Sequence, residues 1–376
     1  MDRTGKNGER PIRVCFVMVG SYPLFNPDCT KTFGGAEVEC FLLATKLAKD
    51  RQFEVSFIVG DYGQPEEEIR QGVRILKSVK TQKNGMFWIM PLWRAMKRAN
   101  ADIYFRQMSS LVTGLTALFC KIKNRIFIYR TAHERECDGT YLRTHILRGK
   151  AYIWGLQQAK WVTAQNYIDA DHLQSTTGVS STVIRNAHPL PPLPQNGRHF
   201  ILWVGRNIDF KQPHRFLELA KQLPEEKFLM ICQKTGLDQD YNHLIQQAQE
   251  IPNLTFLPRV SFHEIGRYFQ QAKFFVCTSD AEGFPNTYIQ ACIGGAAILS
   301  FKVNPDNFIT RYRCGLCADG NWTTYLEHLH LLLKPQLAQE YGNAGRKYVE
   351  ENHDLRKIIE QYKAIFRDLA GKRVNL

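Results

Sequence analysis

The sequence predicts an α/β fold made of two doubly wound domains, each a mainly parallel sheet flanked by helices. Three observations carry this. Short apolar, β-favouring runs alternate with helical periodicity through the first half. A proline-rich stretch, PLPPLPQNG at Pro189 to Gly197, interrupts that rhythm, and the same alternation restarts at Phe200. A chain of 376 residues also exceeds one compact core and suits two domains of about 150–200 residues. The expected boundaries are a first domain over 1–190, a linker over 191–199 and a second domain over 200–352. A terminal helical segment follows over 353–376.

In chain order, the first domain opens on a strand within Ile12 to Val19, followed by a helix over Val38 to Leu47. Strands at Val55 to Val59, Ile103 to Phe105 and Ile126 to Arg130 come next. A helix within Tyr141 to Gln158 leads to strands at Trp161 to Ala164 and Val183 to Arg185. The second domain carries strands at Phe200 to Val204, Phe228 to Cys232, Leu254 to Leu257 and Phe274 to Thr278. The last of these, FFVCT, is short and apolar enough to be a strand buried on both faces. Near the end, Leu355, Ile358, Ile359, Tyr362, Ile365, Phe366 and Leu369 form an apolar stripe at helical spacing.

Composition narrows the function classes. Hydrophobic content of 44% suits ordinary globular folding, and no run of eighteen apolar residues occurs. The start, MDRTGKNGERPIRVCFVMVG, has only a short apolar segment ending in a turn, so it predicts a first strand rather than a signal peptide. Ten cysteines are scattered singly, which suits buried thiols in a reducing, cytoplasmic setting. Cys314 and Cys317 form a lone CxxC with neither a second pair nor histidine partners, so no zinc site is expected. The net charge of +13 is uneven: 27 Lys and Arg against 17 acids up to residue 190, then 22 against 19. That excess on the first half favours an anionic partner such as a phospholipid surface or a lipid-linked diphosphate. A nucleic-acid role has no recognisable module behind it.

The most informative stretch is SDAEGFPNTYIQACIGGAAI, Ser279 to Ile298. It places Glu282 just past a strand's carboxyl end, on a Gly-Phe-Pro turn before a helix starting near Asn286 and Thr287. Ligands of open α/β sheets collect at that edge, and the helix N-terminus offers unpaired N–H groups there. An anionic or hydroxyl-rich ligand fits such a place.

These residues resemble the family 4 retaining glycosyltransferases, whose signature is EGF followed by a second acid eight residues after the first. Glu282, Gly283 and Phe284 match, whereas Gln290 stands where the second acid is expected. The resemblance implies the GT-B fold, two doubly wound Rossmann-like domains facing a central cleft, with the last helix returning to the first domain. It implies that Glu282 contacts the transferred sugar and that Gln290 takes the place of the group gripping the ribose hydroxyls. Gln290 still donates and accepts hydrogen bonds, but without the charge that lifts them from about 1 to about 1.5–3 kcal/mol. Pro285, Asn286 and Thr287 complete the donor-side segment.

Other motifs fall in the order the family implies. Gly34 and Gly35, in TFGGAE, precede a helix, and glycines there permit positive φ and close approach of a ligand. The resemblance has them face the donor diphosphate or the acceptor. The loop is not a GxGxxG fingerprint, so nicotinamide binding gains no support. Arg206 and Lys211, in GRNIDFKQP, follow a strand closely, and the family uses such cations on the leaving pyrophosphate. His133, in YRTAHERECDG, follows the strand Ile126 to Arg130, where the family's histidine contacts the transferred sugar. One of Glu134, Glu136 and Asp138 beside it is expected to orient His133 or bind an acceptor hydroxyl, and spacing does not distinguish them. Asn186 is expected to be structural, and Arg106, at the end of another strand, is expected to be a surface arginine, with approach to an acidic acceptor as the alternative. The segment Met86 to Asn100 mixes aromatics with Arg94, Lys97 and Arg98 and suits either core packing or a membrane boundary, with Pro91 expected to break its helical register.

The expected function is retaining transfer of a sugar from a nucleotide-diphosphate donor to a glycan or lipid-linked acceptor, of the kind that builds polysaccharide or glycolipid. No cofactor or metal is called for. His133 and Glu282 are the catalytic candidates. Gly34, Gly35, Arg206, Lys211, Gly283, Phe284, Pro285, Asn286, Thr287 and Gln290 are the substrate-binding ones. The alternative is a non-catalytic nucleotide-sugar-binding protein whose donor site has degenerated at Gln290. A cytoplasmic location, with peripheral contact to the inner face of an anionic membrane, is expected.

Overall fold

Apolar runs of four to six residues cannot be satisfied as isolated strands, so they pair edge to edge and bury both faces. The computed structural model describes residues 10–80, 88–193, 197–235, 238–262 and 264–374. The expected linker residues 194–196, and Met86 and Phe87 of the aromatic segment, lie outside them. The chain divides into two units, one running to His188 and resuming at Leu355, the other Pro189–Asp354.

The first unit holds β1 (Ile12–Val17), β2 (Phe53–Asp61), β3 (Glu67–Arg70), β4 (Val73–Lys80), β5 (Ile103–Gln107), β6 (Ile126–Arg130), β7 (Trp161–Ala164) and β8 (Thr182–Val183). They assemble in the order β3-β4-β2-β1-β5-β6-β7-β8. Val14 on β1 lies opposite Val55 on one side and Ile103 on the other, both in parallel register. Only β3 and β4 run antiparallel. Their turn, Gln71 and Gly72, has φ of 50° and 79°, the two successive positive values of a tight hairpin turn. Sequence periodicity did not reveal this hairpin, because Gln-Gly is a less familiar turn pair than Asn-Gly.

Pro91 does not break the aromatic segment. It lies in the first turn of the helix Ile89–Ala99, where a missing N–H removes no helical hydrogen bond. Leu92, Ala95, Met96 and Ala99 are buried, and Trp93 packs edge-on against Phe119 at 4.9 Å. The unit's own core therefore takes the apolar face that sequence offered to a membrane. The final helix, Leu355–Val374, buries Leu355, Ile358, Ile359, Tyr362 and Phe366. It belongs to this unit: Tyr362 packs on Phe105 at 5.8 Å, and Lys363 pairs with Asp50 at 2.8 Å.

The second unit holds β9 (Phe200–Arg206), β10 (Phe228–Gln233), β11 (Leu254–Leu257), β12 (Ala272–Cys277), β13 (Ala297–Ser300) and β14 (Gly315–Cys317). Their order is β11-β10-β9-β12-β13-β14, all parallel. The last two strands are too short to announce themselves in sequence. Gly315 explains how β14 fits: at φ 157°, a Cβ there would lie 1.9 Å from the Ile298 carbonyl oxygen. Cys314 and Cys317 are both buried at this edge, and all ten cysteines are free thiols.

Both sheets reverse their winding direction once. In the first unit the chain moves outward one way from β1 and the other way from β5; in the second it does so from β9 and from β12. Each such switch point leaves a crevice at the carboxyl ends of the two central strands.

Candidate functional site

In the second unit, the loops leaving the switch-point strands β9 and β12 carry the sequence-selected residues. Arg206 ends β9, and a single 3-10 turn, Asp209–Lys211, follows. Gln212 then adopts φ 47° and ψ 56°, the left-handed region, immediately before Pro213 starts the helix Pro213–Gln222. This reversal turns the chain back over the strand ends. There the Lys211 ammonium donates to Glu282 Oε1, joining residues 71 positions apart. Ser279 Oγ donates to the same carboxylate oxygen at 3.0 Å. Both charged side chains are mostly sheltered, at 15% and 12% exposure. Arg206 makes no ion pair among the described residues.

Several bonds fix the two loops to each other. Trp203 Nε1 donates to Thr278 Oγ1 at 2.9 Å, and Thr278 Oγ1 donates onward to the Lys211 carbonyl at 2.6 Å. The Asp280 N–H donates to the Phe210 carbonyl at 2.8 Å. Arg215 clamps the far side, donating to the Thr278 carbonyl at 2.9 Å and to Asp280 at 2.7 Å, with its guanidinium 4.1 Å over Phe301. A substitution at Gly205 would place Cβ 2.6 Å from the Trp203 ring, so the indole needs a glycine there.

Past Glu282 the chain alternates between anchoring and presenting. Gly283, Phe284 and Pro285 are buried, with Phe284 5.0 Å from Phe308 and 5.1 Å from His353. Phe284 thus anchors the turn in the apolar core. Pro285 is the N-cap of the helix Asn286–Ile293 and brings no side-chain acceptor to its first N–H groups. On that helix Tyr288, Ile289, Ala291, Cys292 and Ile293 are buried, leaving Asn286, Thr287 and Gln290 half-exposed. Spacings of three and four residues place these three on one face. Gln290 therefore stands on the same accessible stripe as the helix's first turn.

In the first unit, Gly34 is the extended N-cap of the helix Gly35–Leu47, with φ −116° and ψ −175°. Neither Gly34 nor Gly35 has positive φ, contrary to the use of glycine expected from sequence. Both stay accessible, and the Glu37 carboxylate reaches back to accept from the Gly34 N–H at 3.0 Å. His133 is the N-cap of the short helix Glu134–Cys137, and its Nδ1 accepts from the Arg135 N–H at 3.1 Å.

Structure separates the three acids that spacing left equivalent. Glu136 is buried and accepts from the Ser109 N–H, the Ala132 N–H and the Tyr129 hydroxyl, all at 2.9 Å. Burial pushes its carboxyl above the ordinary range. It ties the loop after β5 to the loop after β6, and so holds the backbone on which His133 sits.

Arg106 is not a surface residue. It is 4% exposed, and it donates to the Val17 carbonyl at 2.7 Å and to Ser110 Oγ at 3.0 Å. Being the fourth residue of a strand buried on both faces, it spans the crevice from β5 to the end of β1. Nearby, Arg130 is fully buried, donating to the Ile184 carbonyl at 2.8 Å, Tyr362 hydroxyl at 2.8 Å and Asn186 Oδ1 at 2.6 Å. Glu39 faces it at 3.6 Å and accepts from the Ala187 N–H at 3.0 Å. Burial pushes the Glu39 carboxyl up to about 7 despite the opposing pull of Arg130 and that N–H. Asn186 is a structural member of this lock. Ser279 and Arg215 were missed as positioning residues, and Glu136 was not singled out from Glu134 and Asp138, because polar residues after a strand gain meaning only from what they touch.

A family model described as "Glycosyl transferases group 1" matches residues 187–348, and one described as "Glycosyltransferase Family 4" matches residues 33–190. Among curated protein sequences none matches the chain. Among solved structures, sucrose-phosphate synthase from Thermosynechococcus elongatus is 15% identical with a TM-score of 0.77, over 96% of this chain and 100% of that one. An α,α-trehalose-phosphate synthase (UDP-forming) from Burkholderia vietnamiensis is 10% identical with a TM-score of 0.72, over 97% and 98%. WaaG, a glycosyltransferase involved in lipopolysaccharide biosynthesis, is 13% identical with a TM-score of 0.67, over 94% and 99%. These structures share the two-sheet architecture, and the two family models between them span well over half of the sequence. The chain belongs to the family 4 glycosyltransferases of the GT-B fold.

Proposed function

We propose that the protein is a retaining glycosyltransferase that takes a nucleotide-diphosphate sugar and passes the sugar to a glycan or lipid-linked acceptor. The observation that carries this reading is the meeting of Lys211 and Glu282 at the β9–β12 switch point. Two motifs 71 positions apart in sequence converge there, one suited to a diphosphate and one to a sugar hydroxyl.

Each group has a role set by its chemistry. Arg206 and Lys211 stabilise the diphosphate as the bond from the anomeric carbon to the phosphate oxygen breaks and negative charge grows on that oxygen. The acceptor oxygen bonds to the anomeric carbon on the same face, and its proton passes to the departing phosphate oxygen, so charge and atoms balance without a side-chain nucleophile. Glu282 orients the sugar hydroxyls and, through the ion pair, holds Lys211 in place until the diphosphate arrives. The accessible stripe of Asn286, Thr287 and Gln290 supplies uncharged hydrogen-bonding groups for the nucleotide's diol and phosphate. His133, held by Glu136 in the first unit, is assigned to the transferred sugar.

Turnover of UDP-, GDP- and ADP-sugars, read as hydrolysis or transfer by wild type and by the Glu282→Ala and Lys211→Ala variants, tests this. Loss in both variants is expected. Wild-type rates in both would remove the assignment, and binding without turnover by the wild type would favour the non-catalytic alternative that Gln290 suggests.

A further inference from the structure

Two helices of the first unit, Leu111–Ile122 and Ile146–Gln157, present an outer surface that its own fold leaves uncovered. Glycine brings them together: a Cβ on Gly155 would lie 3.1 Å from Gly114 Cα, and one on Gly114 would lie 2.8 Å from the Ala151 carbonyl. At such close approach the outer faces of the two helices join into one surface. On the first helix Leu111, Leu118 and Ile122 are exposed, spaced at seven and four residues and therefore in one stripe. On the second, Ile146, Leu147 and Trp154 are exposed, Leu147 to 82%. Lys121 stands 5.8 Å over the Trp154 ring and links the two stripes.

The charge around these stripes has one sign. From residue 111 to 125 there are three lysines and arginines and no acid, and from 139 to 168 there are four and again no acid. Lys121, Lys123, Arg143, Arg148, Lys150 and Lys160 are all exposed. An ordinary solvated surface intersperses both signs, and single exposed apolar residues need no explanation. Large aliphatic and indole side chains set among unopposed cations fit an interface that is apolar below and anionic at its rim.

We propose that this face docks the protein peripherally on an anionic lipid bilayer, Leu147, Ile146 and Trp154 entering the headgroup boundary while the cations meet lipid phosphates. Among the described residues no helix is long and apolar enough to cross a membrane, so the contact is one of surface and not of span. The surface differs from the aromatic segment around Trp93, whose apolar side is already packed inside the unit.

Sedimentation with phosphatidylcholine vesicles, with and without phosphatidylglycerol, tests the proposal. Wild type is expected to pellet only with the anionic vesicles and to be released by 0.5 M salt, which shortens the screening length from about 1 nm at 0.1 M to about 0.4 nm. Each cation lost lowers partitioning about fivefold. Lys150→Glu and Lys121→Glu should therefore each weaken binding at least fivefold, and Leu147→Glu should do so with an unchanged melting temperature. Lys221→Glu, the same charge change at an exposed site of the second unit, should leave binding within twofold. Failure of wild type to bind anionic vesicles at low salt would overturn the proposal. So would an equal loss in Lys221→Glu, which would place the attraction in net charge. A dimer in sedimentation velocity that Leu147→Glu abolishes would also overturn it, assigning the face to a second copy of this chain.

Discussion

The two switch points occupy the same place in their sheets and are filled in opposite ways. In the first unit, Arg106 closes the β1–β5 crevice by bonding backbone and Ser110, and the adjacent edge is packed with Arg130, Glu39, Asn186 and Tyr362. In the second, the β9–β12 crevice holds a lysine–glutamate pair that solvent still reaches, beside an Arg206 with no ion pair among the described residues and a half-exposed helix face. A polar residue at a strand's carboxyl end is thus not functional by position alone. Where its side chain is buried and its bonds run to groups inside the protein it locks the fold, and where charge stays accessible it is available to a ligand.

Substitutions should separate the two regions. The largest effect is expected at the open one: Lys211→Ala and Glu282→Ala should each lower kcat about 10²–10³-fold, as removal of a preorganised transition-state contact does, while the melting temperature stays within a few degrees. Steady-state kinetics and thermal melts check both halves of that statement. At the closed region the pattern should invert. Arg130→Met leaves Glu39 buried without its partner and should cost about 3–5 kcal/mol of stability in a denaturant melt. Replacing Glu39 by Leu as well should recover much of that loss, since an apolar pair leaves no charge uncompensated.

The same lock predicts a pH dependence. Glu39 titrates near 7 in the folded chain, against about 4.5 ordinarily, so the folded state holds an extra proton between those values. Its contribution to stability is fully present below about 4.5 and is lost as pH rises through 7. Melts of wild type and Glu39→Gln across that window should show the slope reduced in the variant. Smaller effects return to the open region. Gln290→Glu should tighten nucleotide-sugar binding about 3- to 10-fold, because a carboxylate strengthens each hydrogen bond to a diol. Gln212→Gly should raise stability or leave it within about 1 kcal/mol, since the left-handed backbone at that position penalises a side chain.

Much of this contrast was legible in sequence. The strands of both sheets' centres, the segment Glu282 to Gln290 and the loop to Lys211 are local patterns, and each was found. What escaped was set by distant contacts. The β3–β4 hairpin rests on a Gln-Gly turn, and β14 exists because Gly315 lets its backbone lie against Ile298. Arg106 has the composition of a surface residue, and only β1 beside it shows otherwise. Glu134, Glu136 and Asp138 are equivalent in spacing, yet three donors converge on Glu136 alone. The glycines at 34 and 35 were rightly placed at a helix start, but their φ angles are negative.

The central claim is that the β9–β12 crevice binds a nucleotide-diphosphate sugar through Lys211 and Glu282. A thermal-shift titration with UDP-, GDP- and ADP-sugars tests it most directly, because a ligand at a hundred times its Kd stabilises the folded state by about 2.7 kcal/mol. One of the three should raise the melting temperature of the wild type by several degrees and have little effect on Lys211→Ala and Glu282→Ala. An undiminished shift in both variants, or none in the wild type with any donor, would contradict it.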